Sequence, residues 1–175
     1  MENKARRRFL QVGIGSGLLL AAGGAIYRSR NPSTFSRSPL DAQADTVLRA
    51  LIPALLSGAL PTEAAARSKA IESALAGTRQ AVAGLALPAQ KEVADLFGLL
   101  ALAPARRLLT GLSDDWPQMQ TADLTRVLQE WRLHRTQTLQ TAYHALHDLV
   151  IGPWYGNPDN WAAIGYPGPL PALAG

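Results

Sequence analysis

The sequence predicts an all-α protein, a small helical bundle of four to six helices that is followed by an aromatic, Pro/Gly-rich C-terminal extension. From residue 41 onward the chain is rich in Ala and Leu and has almost no runs of β-branched residues, a composition that favours helix. Apolar residues recur there at intervals of three or four, and no segment shows the alternation typical of a strand. The length of the chain from residue 31 to its end suits one domain.

The N-terminal segment, residues 1–30, combines a cluster of arginines with an uncharged run. Arg6-Arg7 is followed by one further residue and then by Phe9-Leu10, and the run of residues 12–26 contains no charge. At 1.5 Å per residue the run spans roughly 22 Å, less than the ~30 Å hydrocarbon core of a bilayer. This pattern predicts a twin-arginine signal peptide, which exports a protein that has already folded to the periplasm. The alternative is an uncleaved N-terminal membrane anchor, and the sequence leaves cleavage undecided.

Charge separates this leader from the rest of the chain. The formal net charge is +4, but residues 1–30 hold six Lys/Arg and one acid, and the remainder has 11 basic and 12 acidic residues. The body of the protein therefore has no basic block that could follow a phosphate backbone, so we expect no binding to nucleic acid. The chain has no cysteine, which excludes disulfides, thiolate metal sites and cysteine nucleophiles.

Residues 31–40 form a polar linker, and helices are expected after it at 41–56, 62–83 and 88–104, with one or two further helical turns up to residue 109. Thr62 is the expected N-cap of the second helix. A polar loop that contains Asp114-Asp115-Trp116-Pro117 follows. Residues 118–151 hold no Gly or Pro and predict one long helix, or two with a break near residues 134–136, with Thr121 as N-cap. The helical domain is thus assigned to 41–151.

Residues 152–175 form the expected irregular extension, with five prolines, five glycines and four large rings. The rings belong to Trp154, Tyr155, Trp161 and Tyr166. So much apolar surface is unfavourable in water, and two interpretations remain open. The rings cover the core of the bundle itself, or some of them bind a partner protein, since Trp and Tyr dominate the energetics of protein interfaces.

Two of the three histidines are candidates for a metal site. His144 and His147 lie one helical turn apart, and Asp148 follows directly, but no third or fourth ligand is evident. Polar contacts at the surface are the simpler interpretation of this pair. We therefore assign no metal, no cofactor and no catalytic residue to this chain. The glycine pattern at residues 13–17 lies within the leader and follows no strand, so it is not a nucleotide-binding motif.

Several short motifs resemble a known family. They are Leu51-Ile52-Pro53, Leu112-Ser113-Asp114-Asp115-Trp116, Trp131-Arg132-x-His134, Ala142-Tyr143-x-x-Leu146, Trp154-Tyr155-Gly156-Asn157-Pro158, Trp161 and Gly165-Tyr166-Pro167-Gly168-Pro169. Together with the leader, they resemble the small (gamma) subunits of periplasmic FAD-dependent sugar and sugar-acid dehydrogenases, of the sorbitol dehydrogenase type and of the gluconate 2-dehydrogenase subunit 3 type. The motifs cover most of the chain and are concentrated in its C-terminal part.

The resemblance implies a function in export and assembly. Such a subunit binds a large flavoprotein of the glucose-methanol-choline oxidoreductase type, which carries the FAD and crosses the membrane through the twin-arginine translocase as a passenger. Electrons then pass to a cytochrome c subunit or to a quinone. The resemblance therefore implies a non-catalytic accessory subunit. Its expected partner interface includes Trp154, Tyr155, Asn157, Trp161, Tyr166 and Pro167.

Two other functions remain open from the sequence. One is a small metal protein that depends on the histidines. The other is a membrane-tethered structural or interaction protein that keeps its leader and has no redox partner.

Overall fold

The computed structural model describes residues 40–162 and 165–168. Over these ranges the chain is helical and contains no strand, which confirms the predicted all-α bundle. The helices are α1 (Ala42–Leu55), α2 (Ala64–Ala83), α3 (Leu87–Ala101), α4 (Ala103–Thr110), α5 (Thr121–Arg132) and α6 (Gln137–Gly156). Two short 3-10 helices, Trp116–Gln118 and Pro158–Asn160, lie in the connections before α5 and after α6.

Helix α1 lies at the centre of the bundle. It contacts α2, α3, α5, α6 and the first 3-10 helix. Its apolar residues Val47, Leu48, Leu51 and Ile52 recur at intervals of one, three and four, and all four are buried. The helix begins where predicted, because the Asp41 carboxylate accepts a hydrogen bond from the Ala44 amide at 2.8 Å.

Two ion pairs join α2 to α1. The Arg79 guanidinium donates both to Asp45 Oδ1 at 2.7 Å and to Asp45 Oδ2 at 2.6 Å, which is the bidentate arrangement that favours arginine. Arg49 Nε donates in turn to Glu72 Oε1 at 2.7 Å. This exposed hydrogen bond lowers the pKa of Glu72 and raises that of Arg49. Helix α2 buries Ala74, Leu75, Thr78 and Val82 in the bundle, and the two pairs add polar contacts between it and α1.

The predictions of Thr62 and Thr121 as N-caps are both wrong. The cap of α2 is Glu63, whose carboxylate accepts from the amides of Ala65 at 2.8 Å and Ala66 at 2.6 Å. These two backbone hydrogen bonds lower the pKa of Glu63. A carboxylate is a better partner than the Thr62 hydroxyl for the positive end of a helix. In α5 the cap is Gln120, which makes no side-chain cap bond, and Thr121 is the first helical residue.

The region from 118 to 151 forms two helices with a break at residues 133–136, as the second alternative predicted. At the break, His134 Nδ1 accepts from the Thr136 amide at 3.0 Å and the His134 carbonyl accepts from Gln140 Nε2 at 2.7 Å. Further along, the expected end of the helical domain at 151 is too early. Helix α6 continues through Pro153 to Gly156, because burial of the next side chain, Trp154, offsets the backbone bond that proline cannot donate.

The loop before α5 is not wholly polar, because Trp116 is buried in the core. Its indole Nε1 donates to the Leu100 carbonyl at 3.0 Å. The neighbouring Asp115 pairs with Arg106 of α4, whose side chain is only 5% exposed. Asp115 thus balances a buried charge and holds the loop against α4. This contact gives Asp115 a structural role as the ion-pair partner of Arg106.

Replacing Glu63 by Gln should lower the stability of the protein at neutral pH and have little effect in acid. Because folding lowers the pKa of Glu63, its contribution is present above the ordinary glutamate pKa of about 4.3 and is lost as the pH falls through the lowered value. Thermal unfolding at a series of pH values measures this, and Tm should fall by a few degrees at neutral pH only. The control, Thr62→Ala, should leave Tm unchanged at every pH. A larger effect of Thr62→Ala would show that the threonine is the cap.

Candidate functional site

The end of α6 brings the aromatic residues of the extension to one end of the bundle. Trp154 faces inward and is 3% exposed, within the same core as α1. We expected Trp154 at a partner interface. Its ring instead covers the core of the bundle, which is the other alternative that the sequence left open. Its indole nitrogen is enclosed and has no hydrogen-bond partner among the described residues. The indoles of Trp116 and Trp131, by contrast, donate to the carbonyls of Leu100 and Leu109.

Three other rings form a surface, which we call the aromatic surface: Tyr155, Trp161 and Tyr166. Trp161 Nε1 donates to the Tyr155 carbonyl at 2.7 Å, so the chain folds back onto the end of α6. The rings of Trp161 and Tyr166 meet edge to face, with centroids 5.1 Å apart and planes at 72°. Tyr155 is nevertheless 37% exposed and Tyr166 is 45% exposed. The Trp161 and Tyr166 rings thus contact each other, and Tyr155 contributes its backbone carbonyl to the same region while its side chain stays partly exposed.

Several backbone and amide hydrogen bonds involve the described residues around these rings. Asn157 Oδ1 accepts from the Asp159 amide at 3.1 Å and begins the second 3-10 helix. Asn160 Nδ2 donates to the Trp154 carbonyl at 2.8 Å, and the Tyr166 amide donates to the Trp161 carbonyl at 3.0 Å. Gly168 lies against the Trp161 ring, since a Cβ on it would come within 3.3 Å of the indole. Pro167, next to Tyr166, is exposed. Asn157 and Trp161 thus follow Tyr155 closely, and Tyr166, next to Pro167, is joined to Trp161 by a backbone hydrogen bond.

A groove of about 700 Å³ lies beside this segment, between α2 and the end of α6. Here the two helices approach closely, because a Cβ added to Gly77 would lie 3.1 Å from the Pro153 Cβ. Sequence reasoning missed the α2 side of the groove. The signal was present, however, since Ser73, Gly77 and Gln80 recur at helical spacing in a helix with little apolar surface.

The histidine pair lies on α6, away from the aromatic surface in sequence. His147 Nδ1 is 3.0 Å from Asp148 Oδ1, and both imidazoles contact the Tyr143 ring, with centroid distances of 5.3 Å for His144 and 5.7 Å for His147. Within the described part of the chain, no group of three or more His, Asp or Glu side chains could hold a metal ion. These contacts account for the histidines as partners of Tyr143 and Asp148.

The predicted export residues Arg6, Arg7, Phe9 and Leu10 lie outside the described residues. Over the ranges that the structure describes, no helix has the length and apolar character needed to span a bilayer.

Comparison of the chain with protein-family models, with curated proteins and with solved structures found no match.

The unpartnered indole of Trp154 predicts a difference between two matched substitutions. Trp131→Phe removes a hydrogen bond of 2.9 Å and leaves the Leu109 carbonyl without its donor, whereas Trp154→Phe removes no hydrogen bond. Both replace one buried indole by a smaller ring. Trp131→Phe should therefore lower the free energy of unfolding by about 1 kcal/mol more than Trp154→Phe does. Urea unfolding of the two purified variants measures this, and an equal or larger loss in Trp154→Phe would contradict the structure.

Proposed function

We propose that this chain is a non-catalytic accessory subunit and export escort of a periplasmic FAD-dependent dehydrogenase of the glucose-methanol-choline type. The FAD and the catalytic residues belong to the large flavoprotein partner. The small subunit contributes binding alone. It covers an apolar area of the flavoprotein, and its leader takes the folded complex to the twin-arginine translocase. A cytochrome c subunit or a quinone accepts the electrons.

The observation that carries the proposal is the aromatic surface. Tyr155 is 37% exposed and Tyr166 is 45% exposed, while the Trp161 indole donates to the Tyr155 carbonyl and the Trp161 ring meets the Tyr166 ring edge to face. Rings that are ordered before binding lose little conformational entropy on association, and Tyr and Trp are the residues that contribute most at interfaces. The same segment carries three of the motifs on which the resemblance to the dehydrogenase small subunits rests: Trp154–Pro158, Trp161 and Gly165–Pro169.

The predicted leader supports the proposed role as an export escort. The twin-arginine route carries folded proteins, so one signal on a small helical domain is sufficient for a partner that is already bound to it. A substitution that removes the arginine pair but keeps its positive charge should then block the export of both this protein and its partner. An accessory subunit that acts only in binding also needs no residue for acid–base or nucleophilic chemistry of its own.

Export of the flavoprotein should depend on the arginine pair of this chain. In cells that carry Arg6→Lys with Arg7→Lys, we expect both this protein and its flavoprotein to accumulate in the cytoplasm, because the translocase receptor recognises the pair and not its charge. Periplasmic and cytoplasmic fractions are assayed for both proteins by mass spectrometry. The control, Arg8→Lys, changes the same residue type at the position where the pattern accepts any residue, and should export both normally. A flavoprotein that still reaches the periplasm in the double variant would contradict the proposal.

A further inference from the structure

The groove between α2 and the end of α6 has an uncharged lining. No Asp, Glu, Lys, Arg or His takes part in the lining that the structure describes. Small residues such as Gly77 and Ala81 make up much of the α2 wall, and Leu85 lies at its end. Leu85 is 37% exposed, so part of its apolar side chain is open to solvent. A charged occupant would find no counter-charge here, and the groove therefore suits a neutral, apolar one.

The chain itself contains a segment of this chemistry directly beyond the last described residue. Residues 169–175 read Pro-Leu-Pro-Ala-Leu-Ala-Gly and carry no charged side chain. Leu170 and Leu173 are the two large apolar residues of this segment, and they are three positions apart. Because an extended segment of the polyproline type repeats every three residues, both leucines would lie on one face of it. The segment thus has the neutral and apolar character that the groove requires.

The described part of the chain brings the start of this segment close to the groove. Asn160 lines the groove, and Trp161 follows it directly. Gly168 lies against the Trp161 ring, since a Cβ on Gly168 would come within 3.3 Å of the indole. Residue 169 therefore begins within one tryptophan side chain of a residue that follows a wall of the groove.

The length of the segment also matches the groove. The α2 wall runs from Ser73 to Leu85, and at 1.5 Å per residue it is about 18 Å long. Residues 169–175 reach about 23 Å when they are extended, at ~3.3 Å per residue. The segment is therefore long enough to follow the whole α2 wall.

The covalent connection favours this occupant over a separate molecule. A segment that is joined to its site by a short linker is present there at an effective concentration on the order of millimolar. It can fill the groove with an affinity that would leave the groove nearly empty of a second protein at micromolar concentration. A weak apolar contact is therefore sufficient for this segment.

We infer that residues 169–175 of this chain dock in the groove between α2 and the end of α6, with Leu170 and Leu173 against its apolar lining. The inference concerns this chain alone and goes beyond the proposed function. Docking gives the C-terminal extension a second attachment to the bundle, after Tyr166, in addition to the hydrogen bonds that Asn160 and Trp161 make before it. The aromatic surface then lies between two attached segments.

A pair of introduced cysteines tests the docking, because the chain has none of its own. Ala76, an exposed residue of α2 that lines the groove, is changed in Ala76→Cys, and the middle of the segment is changed in Ala172→Cys. The control combines Ala172→Cys with Ala65→Cys, at an exposed position about three turns earlier on the same face of α2 and outside the groove. The full-length reduced proteins are oxidised in dilute solution. Mass spectrometry and non-reducing electrophoresis then measure the rate of disulfide formation.

We expect the disulfide between positions 76 and 172 to form within one chain, at least tenfold faster than the disulfide between positions 65 and 172. Adding Leu170→Asp and Leu173→Asp should slow it to the rate of the control, because carboxylates would have to enter an uncharged lining. The reduced cysteine variants should keep the Tm of the wild type, since both positions on α2 are exposed.

Three outcomes would overturn the inference. Equal rates at positions 76 and 65 would show that the segment moves freely, since a free segment reaches both positions. A fast disulfide at position 76 that the two aspartates leave unchanged would show that the leucines do not dock. A disulfide that forms only between two chains, at a rate that rises with protein concentration, would show that the occupant of the groove comes from a second copy.

Discussion

The burial of α1 among all but one of the other helices is the constraint on which the rest of the structure depends. Its apolar side chains contact α2, α3, α5 and α6, so each of these helices is positioned against the same central element. Hydrophobic burial has no direction of its own, and polar contacts supplement the buried face of the alanine-rich α2. The bidentate pair of Asp45 with Arg79 and the pair of Arg49 with Glu72 supply these contacts. Helix α4, which packs chiefly on α3, is held to the following loop by Arg106 and Asp115.

This arrangement determines where the candidate binding surface lies. Because α2 is fixed on α1, its glycine at 77 meets Pro153 of α6, and the two helices come close enough to bury Trp154. The chain leaves α6 just beyond this contact. Beyond it, the Trp161 indole donates to the Tyr155 carbonyl, and the Trp161 and Tyr166 rings meet edge to face. One tryptophan of the extension is therefore part of the core, while Tyr155 and Tyr166 remain open to a partner.

Much of the fold could be predicted from the sequence because apolar spacing and Ala/Leu composition are local signals. The positions of α1 and α2 follow from them, whereas the break near residue 134 was one of two alternatives that they left open. The cap at Glu63 could not be predicted, since the adjacent Thr62 competes for the same amides and only the backbone geometry decides. At the start of α5 no side chain makes a cap bond, so capping chemistry gives no signal for Gln120 there. The continuation of α6 through Pro153 was also hidden, because its reason is the burial of Trp154 in a tertiary contact. The same holds for the groove, whose two walls, within 73–85 and 153–160, lie far apart in sequence.

We propose above all that this small helical protein is bound to a large flavoprotein. The most direct test of this proposal is to purify the wild-type protein together with whatever it binds. The protein is isolated gently from the periplasm and membranes of its native host, and the flavin absorption spectrum and the identity of co-eluting proteins are recorded. The account predicts a yellow complex that contains a large oxidoreductase in a fixed ratio to this chain. A colourless protein that elutes alone, from a host in which it is correctly exported, would contradict it.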